Sequence, residues 1–525
     1  MISPAVLEQP GRWRAIGLVW GFLVLIAPSM PLLWAVLEPS ASASGLGSGF
    51  PSALGRSLAV GVGAAAGSLI VGLPCGLLAG LYRFPARNML LGSLALPLLV
   101  PSFLWAIGLS NLRIELGLPR DSVLSGASGC ILSFAALGAP LVLFAVLLAV
   151  RSLPQSQIDA ARLAGGEGAV LHYAGRAALP VALAVSLLGG VLSLSDPGPG
   201  QILGFPGAAT QILVSFSSLY DFELAARQCS AIAGVVLLVS TPLVWSCARW
   251  LAVELLPLNV AAMKPRHWTT ANWLGPTLLG LAFLVIAMAP LAGLTLPVLS
   301  RFWLDRVLET LTRTGGNTLL YSILAGVIAT VLALCLAICA ARVRSLRIAL
   351  FAGLVLVFVL PPSLGALGTI LAASGAPSWL DPVLRSHFTV GAALGVRLTP
   401  LAGIILVRAM AATPPSWALA AAVHGVSLTA YTRKVLGPVL AGSLAMSVTL
   451  VALIATADVT TILLLQPPGQ SSFPVTLFTV MANAPESMVA SLCLSYIGGA
   501  YIVIAGIAAV SRASKARLFQ SARGC

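Results

Sequence analysis

Charge-free apolar runs are the feature that most constrains this chain. Stretches 15–37, 57–82, 88–112, 122–150, 177–195, 228–248, 268–300, 314–341, 348–380, 435–457 and 487–510 contain no Asp, Glu, Lys or Arg, and a further one, 388–407, is broken only by Arg397. A helix needs about 20 apolar residues to cross a bilayer, and only structures that satisfy their own backbone survive there. Only 8% of residues are charged and 58% are hydrophobic, whereas a soluble surface needs roughly 25% charged residues. The runs therefore predict an all-α integral membrane protein with about twelve transmembrane helices. The ten-residue alternation of a membrane β-barrel is absent. The opening run exceeds the apolar region of about 7–15 residues in a secretory signal, so a retained helix is expected, although "PSASASG" behind it would suit cleavage.

The net charge of +14 would suggest a nucleic-acid partner for a soluble protein. In a membrane protein, basic residues mark cytoplasmic loops. With the N-terminus inside, 20 of the 29 Lys and Arg residues fall in inner segments. Both termini are expected in the cytoplasm, with no nucleic acid bound. Of the eight cysteines, seven lie in apolar runs and Cys525 is terminal. Cys335 and Cys339 share a helix face by spacing, but no His or acid lies nearby in sequence to complete a metal site. Packing is the expected role of these thiols, and no metal or cofactor is expected.

The chain is written twice. Pro140, Pro154, Ser156, Ala160, Ala161 and Gly165 recur 260 positions later as Pro400, Pro414, Ser416, Ala420, Ala421 and Gly425. Ser57-Leu58 matches Thr318-Leu319, Pro101-Ser102 matches Pro362-Ser363, and Asp196 matches Asp458, the register drifting by only two residues. Such periodicity predicts two parallel six-helix repeats: residues 1–250, a cytoplasmic linker at 251–270, and residues 271–525. A duplicated scaffold with no conduit is the alternative.

One pair of matched segments, "IDAARLAGG" and "ALAAAVHGV", falls in charged gaps on the predicted inner side. Each follows a proline suited to a helix start, continues through an alanine pair, and reaches a glycine able to turn the chain. The expected local structure is a short helix, a glycine joint at Gly165 or Gly425, and a second segment entering the membrane. His172 and His424 lie in these loops and are expected to be solvated.

These loops resemble the Glu-Ala-Ala loop of binding-protein-dependent ABC importer permeases. That loop has Glu-Ala-Ala, three residues, Gly, nine residues, then an aliphatic residue and Leu-Pro. The second copy keeps Ala420, Ala421, Gly425, Val435 and Pro438, with Leu419 in place of the acid and Gly437 in place of leucine. The first keeps Asp159, Ala160, Ala161 and Gly165 and ends in Leu179-Pro180, two residues late. Asn317-Thr318-Leu319 is similar to that family's helix start, and 456–478 is similar to the end of ferric-iron and thiamine-type permeases, as is the fused layout. The resemblance covers most of 50–510. It implies that each repeat is a MetI-like ABC permease domain. It also implies that each loop docks on one of two cytoplasmic ATPase subunits, and that an extracytoplasmic solute-binding protein delivers the solute. Ferric iron is the substrate it implies first, then thiamine, polyamine or phosphonate.

The chain has three lysines, none after a glycine, so it lacks a GxxxxGK[ST] phosphate loop. A non-catalytic subunit relying on a partner's ATP hydrolysis is expected. Ionisable residues at membrane depth are candidate pathway or gate groups. Asp196 and Asp458 would line the conduit or cap a neighbouring helix. Arg397, whose counterpart is Leu137, would snorkel, meet an anion, or pair with an acid such as Asp458. The rival class is a twelve-helix ion-coupled secondary transporter, which needs such groups as a relay. A non-transporting scaffold or sensor is a third class.

Overall fold

A computed structural model describes residues 3–9, 11–32, 45–254 and 265–521. Among them, ten helices are long and apolar enough to cross a membrane, or up to twelve if each of two bent pairs is one span. In chain order the main helices are α1 (Arg12–Leu32), α2 (Phe50–Leu81), the bent pair α3 (Arg87–Leu94) and α4 (Ser102–Glu115), α5 (Gly126–Arg151) and α6 (Gln155–Ser193). Short helices α7 (Gly198–Leu203) and α8 (Ala208–Ser217) follow, then α9 (Phe222–Glu254). The second half runs α10 (Ala271–Ser300), α11 (Leu304–Ala340), the bent pair α12 (Arg344–Val359) and α13 (Pro362–Ser374), α14 (His387–Ala412), α15 (Pro415–Val423) and α16 (Leu428–Ala455). It ends with α17 (Val459–Leu465), α18 (Phe473–Val480) and α19 (Glu486–Ser521). The expected linker is described only at its edges; residues 255–264 lie outside the described residues.

Two expected spans are not straight. The runs 88–112 and 348–380 bend by 100° and 82°. Pro101 and Pro361 stand at the breaks with ψ of 140° and 132°, which is extended backbone. Proline has no N–H for the helix ladder and disfavours helix in the residue before it. Pro140 and Pro400, by contrast, stay inside α5 and α14, because helices packed alongside can re-satisfy the freed carbonyls. Among the described residues the all-helical expectation has one exception. Tyr82–Arg83 pairs in parallel with Arg266–His267, so the described end of the linker is tied to the end of α2.

Helix packing follows the same order in both parts of the chain. Helices α2, α5 and α6 pack together, as do α11, α14 and α16. The first helix of each part lies across the other part: α1 packs on α11 and α12, and α10 on α2 and α3. Small residues allow the close approach, as in other membrane helix pairs. Gly76 of α2 faces α5 so tightly that a Cβ there would sit 2.7 Å from the Leu143 carbonyl oxygen. The paired hydroxyls at 57 and 318 have matching partners. The Ala208 N–H at the start of α8 donates to Ser57 Oγ (2.9 Å), and the Phe473 N–H at the start of α18 donates to Thr318 Oγ1 (2.8 Å). Each satisfies one of the N–H groups a helix start leaves free.

Candidate functional site

A cavity of about 280 Å³ lies where the two halves of the chain meet. Its wall takes Pro101, Ser102, Leu137 and Asp196 from the first half and Pro362, Arg397, Asp458 and Thr460 from the second. The bends after α3 and α12 deliver the first residue of α4 and of α13 to this wall. Arg397 is the eleventh residue of α14, about 15 Å along its axis at 1.5 Å per residue, so the cavity sits deep within the apolar zone.

The three ionisable residues singled out from the sequence converge here. An Arg397 Nη1–H donates to Asp458 Oδ2, forming an ion pair in which the Asp458 side chain is only 5% exposed and that of Arg397 24%. Asp458 is also the N-cap of α17: its Oδ1 accepts from the Thr461 N–H (3.0 Å) and its Oδ2 from the Thr461 hydroxyl (3.0 Å). Asp196 does the matching work before α7, accepting from the Gly198 N–H (2.9 Å) and from the Ser102 hydroxyl. Capping and cavity lining, alternatives from sequence, are here properties of the same carboxylates. Asp196 lies within the field of both Arg397 and Asp458, yet among the described residues only Asp458 ion-pairs with Arg397. No sequence pattern pointed to Ser195, whose buried hydroxyl lines the cavity without a hydrogen-bond partner among the described residues.

The two loops form a second region. In the second copy, α15 begins after Pro414 and ends at His424. The Val426 N–H reaches back to the Ala421 carbonyl (2.9 Å) and the Gly425 N–H to that of Ala422 (3.1 Å), with Gly425 at φ +68°. That is a Schellman closure with glycine at the left-handed position. In the first copy the turn is not where the sequence put it. Gly165 has φ −163°, extended backbone, whereas Gly166 carries the positive φ of 65° with ψ −156°. Two adjacent glycines were equally able to turn; the second takes the conformation that side chains resist.

The same face of each loop helix is anchored and the same position projects. Ile158 and Ala418, offset by 260, are buried, while Leu163 and Val423, also offset by 260, are 91% and 85% exposed. Leu419 is exposed, as are Asp159, Ala160, Ala420, His172 and His424; Ala161 and Ala421 are half-buried. Asp159 is engaged within its own loop, accepting from Arg162 (2.9 Å) and Gln155 (3.0 Å). Arg162 also bonds Glu167 (2.7 Å), which accepts from the Tyr82 hydroxyl (2.7 Å). Burial, and then the Glu167 carboxylate, hold the Tyr82 hydroxyl well above the usual phenol range, so it remains a donor. Trp268 packs on the Tyr82 ring. The second loop is braced differently: Arg342 bridges Glu8 (2.9 Å) and Thr413 (2.8 Å), and residues 4–7 pack on α15. In each case the segment preceding one half's first helix braces the other half's loop.

Among the described residues, no group of three or more His, Cys, Asp or Glu side chains is placed to hold a metal ion. Cys335 is exposed and Cys75, Cys130, Cys229, Cys339 and Cys493 are buried. Compared with models of protein families, with curated proteins and with solved structures, the chain matches none.

Proposed function

We propose that this chain is the permease of an ATP-driven importer, two parallel six-helix permease domains fused in one polypeptide. The observation that carries the proposal is the pair of loops. Each presents a short helix anchored at one position and projecting an apolar side chain, Leu163 or Val423, almost wholly into solvent. Singly exposed apolar residues are ordinary on a protein surface; what points to a contact here is that the same position projects in both copies, 260 residues apart. Each loop therefore serves as a handle for one of two cytoplasmic ATPase subunits. Matched side chains accept from N–H groups in the first turns of four short helices, Asp196 and Asp458 at α7 and α17, Ser57 and Thr318 at α8 and α18; this supports the duplication, and so does the crosswise packing of α1 and α10. Both termini and both loops then lie in the cytoplasm of a cell with this chain in its inner membrane. A solute-binding protein outside supplies the solute, and the central cavity is the passage. The permease resemblance favours ferric iron, followed by thiamine, polyamine or phosphonate. The chain itself supplies no catalytic group.

A second reading has one observation in its favour. Asp196, Arg397 and Asp458 cluster at membrane depth, as the relay of an ion-coupled secondary transporter would. Proteoliposomes separate the two. Uptake should require the ATPase, the binding protein and internal ATP. Solute accumulation by the chain alone under a proton gradient would establish the secondary transporter and defeat the importer.

A further inference from the structure

We propose that Asp196 and Asp458 are two walls of a cation site inside the central cavity, and that Arg397 is its resident competitor, a tethered cation that a positively charged solute displaces. The inference deepens the permease reading by naming the substrate class, although binding itself does not depend on that reading.

The charge count comes first. One guanidinium stands within the field of two carboxylates from matched positions in the two halves, and it pairs with Asp458 alone among the described residues. The arginine has no counterpart: Leu137, 260 positions earlier, lines the same cavity. The wall therefore carries one net negative charge when all three groups are ionised. In a site shielded from water such a charge attracts cations strongly. Ligand chemistry comes second. The cation-ligating side-chain atoms of the wall are oxygens, from Ser102, Ser193, Ser195, Asp196, Asp458 and Thr460, and among the described residues no His or Cys lines it. Oxygen donors suit hard metal ions and ammonium groups. Ser195 is the independent sign of a ligand. It is 7% exposed, adjoins Asp196, and its hydroxyl has no partner among the described residues. A buried hydroxyl is normally satisfied. Finally, Arg397 itself is incompletely held, since its buried Nε–H has no acceptor among the described residues. A pair of this kind can exchange.

The test is calorimetric titration of the purified full-length chain in lipid nanodiscs, with Mn²⁺ in one arm and methylammonium in the other. Apparent affinity falls with the fraction of molecules in which Asp458 is free. If Arg397 leaves it free in a tenth of molecules or fewer, Arg397→Gln should tighten binding about tenfold or more. Arg397→Lys keeps a competing cation and should gain much less than Arg397→Gln does. Adding Asp196→Asn to Arg397→Gln should abolish the gain, and adding Ser195→Ala should reduce it. The arm that gains identifies a metal ion or an organic ammonium as the cation class. Equal binding by wild type and a monodisperse Arg397→Gln variant in both arms would overturn the proposal. So would a gain that survives Asp196→Asn. Cation binding without ATP-dependent uptake would leave this site standing and fell the importer. Uptake with no change in these titrations would do the reverse.

Discussion

Gly425→Val is expected to abolish both ATPase association and uptake while the protein still reaches the membrane. The reason is conformational rather than steric. A Cβ at 425 would meet nothing within 4 Å, but φ is +68°. Left-handed backbone costs an L-residue roughly 1–2 kcal/mol, and more for a β-branched one. Relief comes by unwinding the Schellman closure, which swings α15 and Val423 out of position. Gly425→Asn should retain most association, because asparagine tolerates positive φ. In the first loop, Gly166→Val should be severe and Gly165→Val milder. Gly166 lies in a region that is essentially glycine's alone, whereas Gly165 is extended and its Cβ would meet only the Ala169 Cβ at 3.0 Å. Leu163→Asp and Val423→Asp should each weaken association without disturbing the fold. Asp159→Ala should do little, since Asp159 is half exposed, its pair with Arg162 is intramolecular, and pairs with a solvent-exposed partner are worth about 0–1 kcal/mol. Co-purification of the ATPase at matched membrane levels measures all of these. Wild-type association in both Gly166→Val and Gly425→Val would mean the loops are mere connectors.

Asp458→Ala should be among the most destabilising single changes in the chain. It removes the ion-pair partner of Arg397 in the apolar zone and the cap of α17. Breaking a buried pair by deleting one partner costs about 3–5 kcal/mol, and losing a cap about 1 kcal/mol. Asp458→Asn keeps a side-chain oxygen for the Thr461 N–H but loses the charge and the second acceptor, which serves Arg397 and the Thr461 hydroxyl, so its cost should lie below that of the alanine. Asp196→Asn breaks no ion pair and should cost least. Thermal midpoints in lipid nanodiscs should fall in that order. Equal midpoints for Asp458→Ala and Asp196→Asn would mean the Arg397 pair carries no weight in the fold.

What the sequence displayed, and what it hid, follows from what each signal can carry. Hydropathy reports that a segment is apolar, so the spans were legible. It does not report direction, so the bends at Pro101 and Pro361 were not. The short helices α7, α8, α17 and α18 are below the length at which periodicity is diagnostic, and only the matched Asp196 and Asp458 hinted at them. The meeting of Arg397 with Asp458 joins residues 61 apart, and no local pattern encodes it. The 260-residue offset located both loops. It could not choose between Gly165 and Gly166, nor show that Tyr82, Glu167 and Arg162 would knit one loop to the linker.

The stoichiometry of the complex tests the central claim most directly. The intact chain, drawn from its own membrane in native lipid and weighed by native mass spectrometry, should carry two copies of an ATPase subunit. With Val423→Asp or Leu163→Asp it should carry one, and with both substitutions none. A chain that carries no ATPase, or that keeps two copies when both Leu163 and Val423 are replaced, would contradict the account.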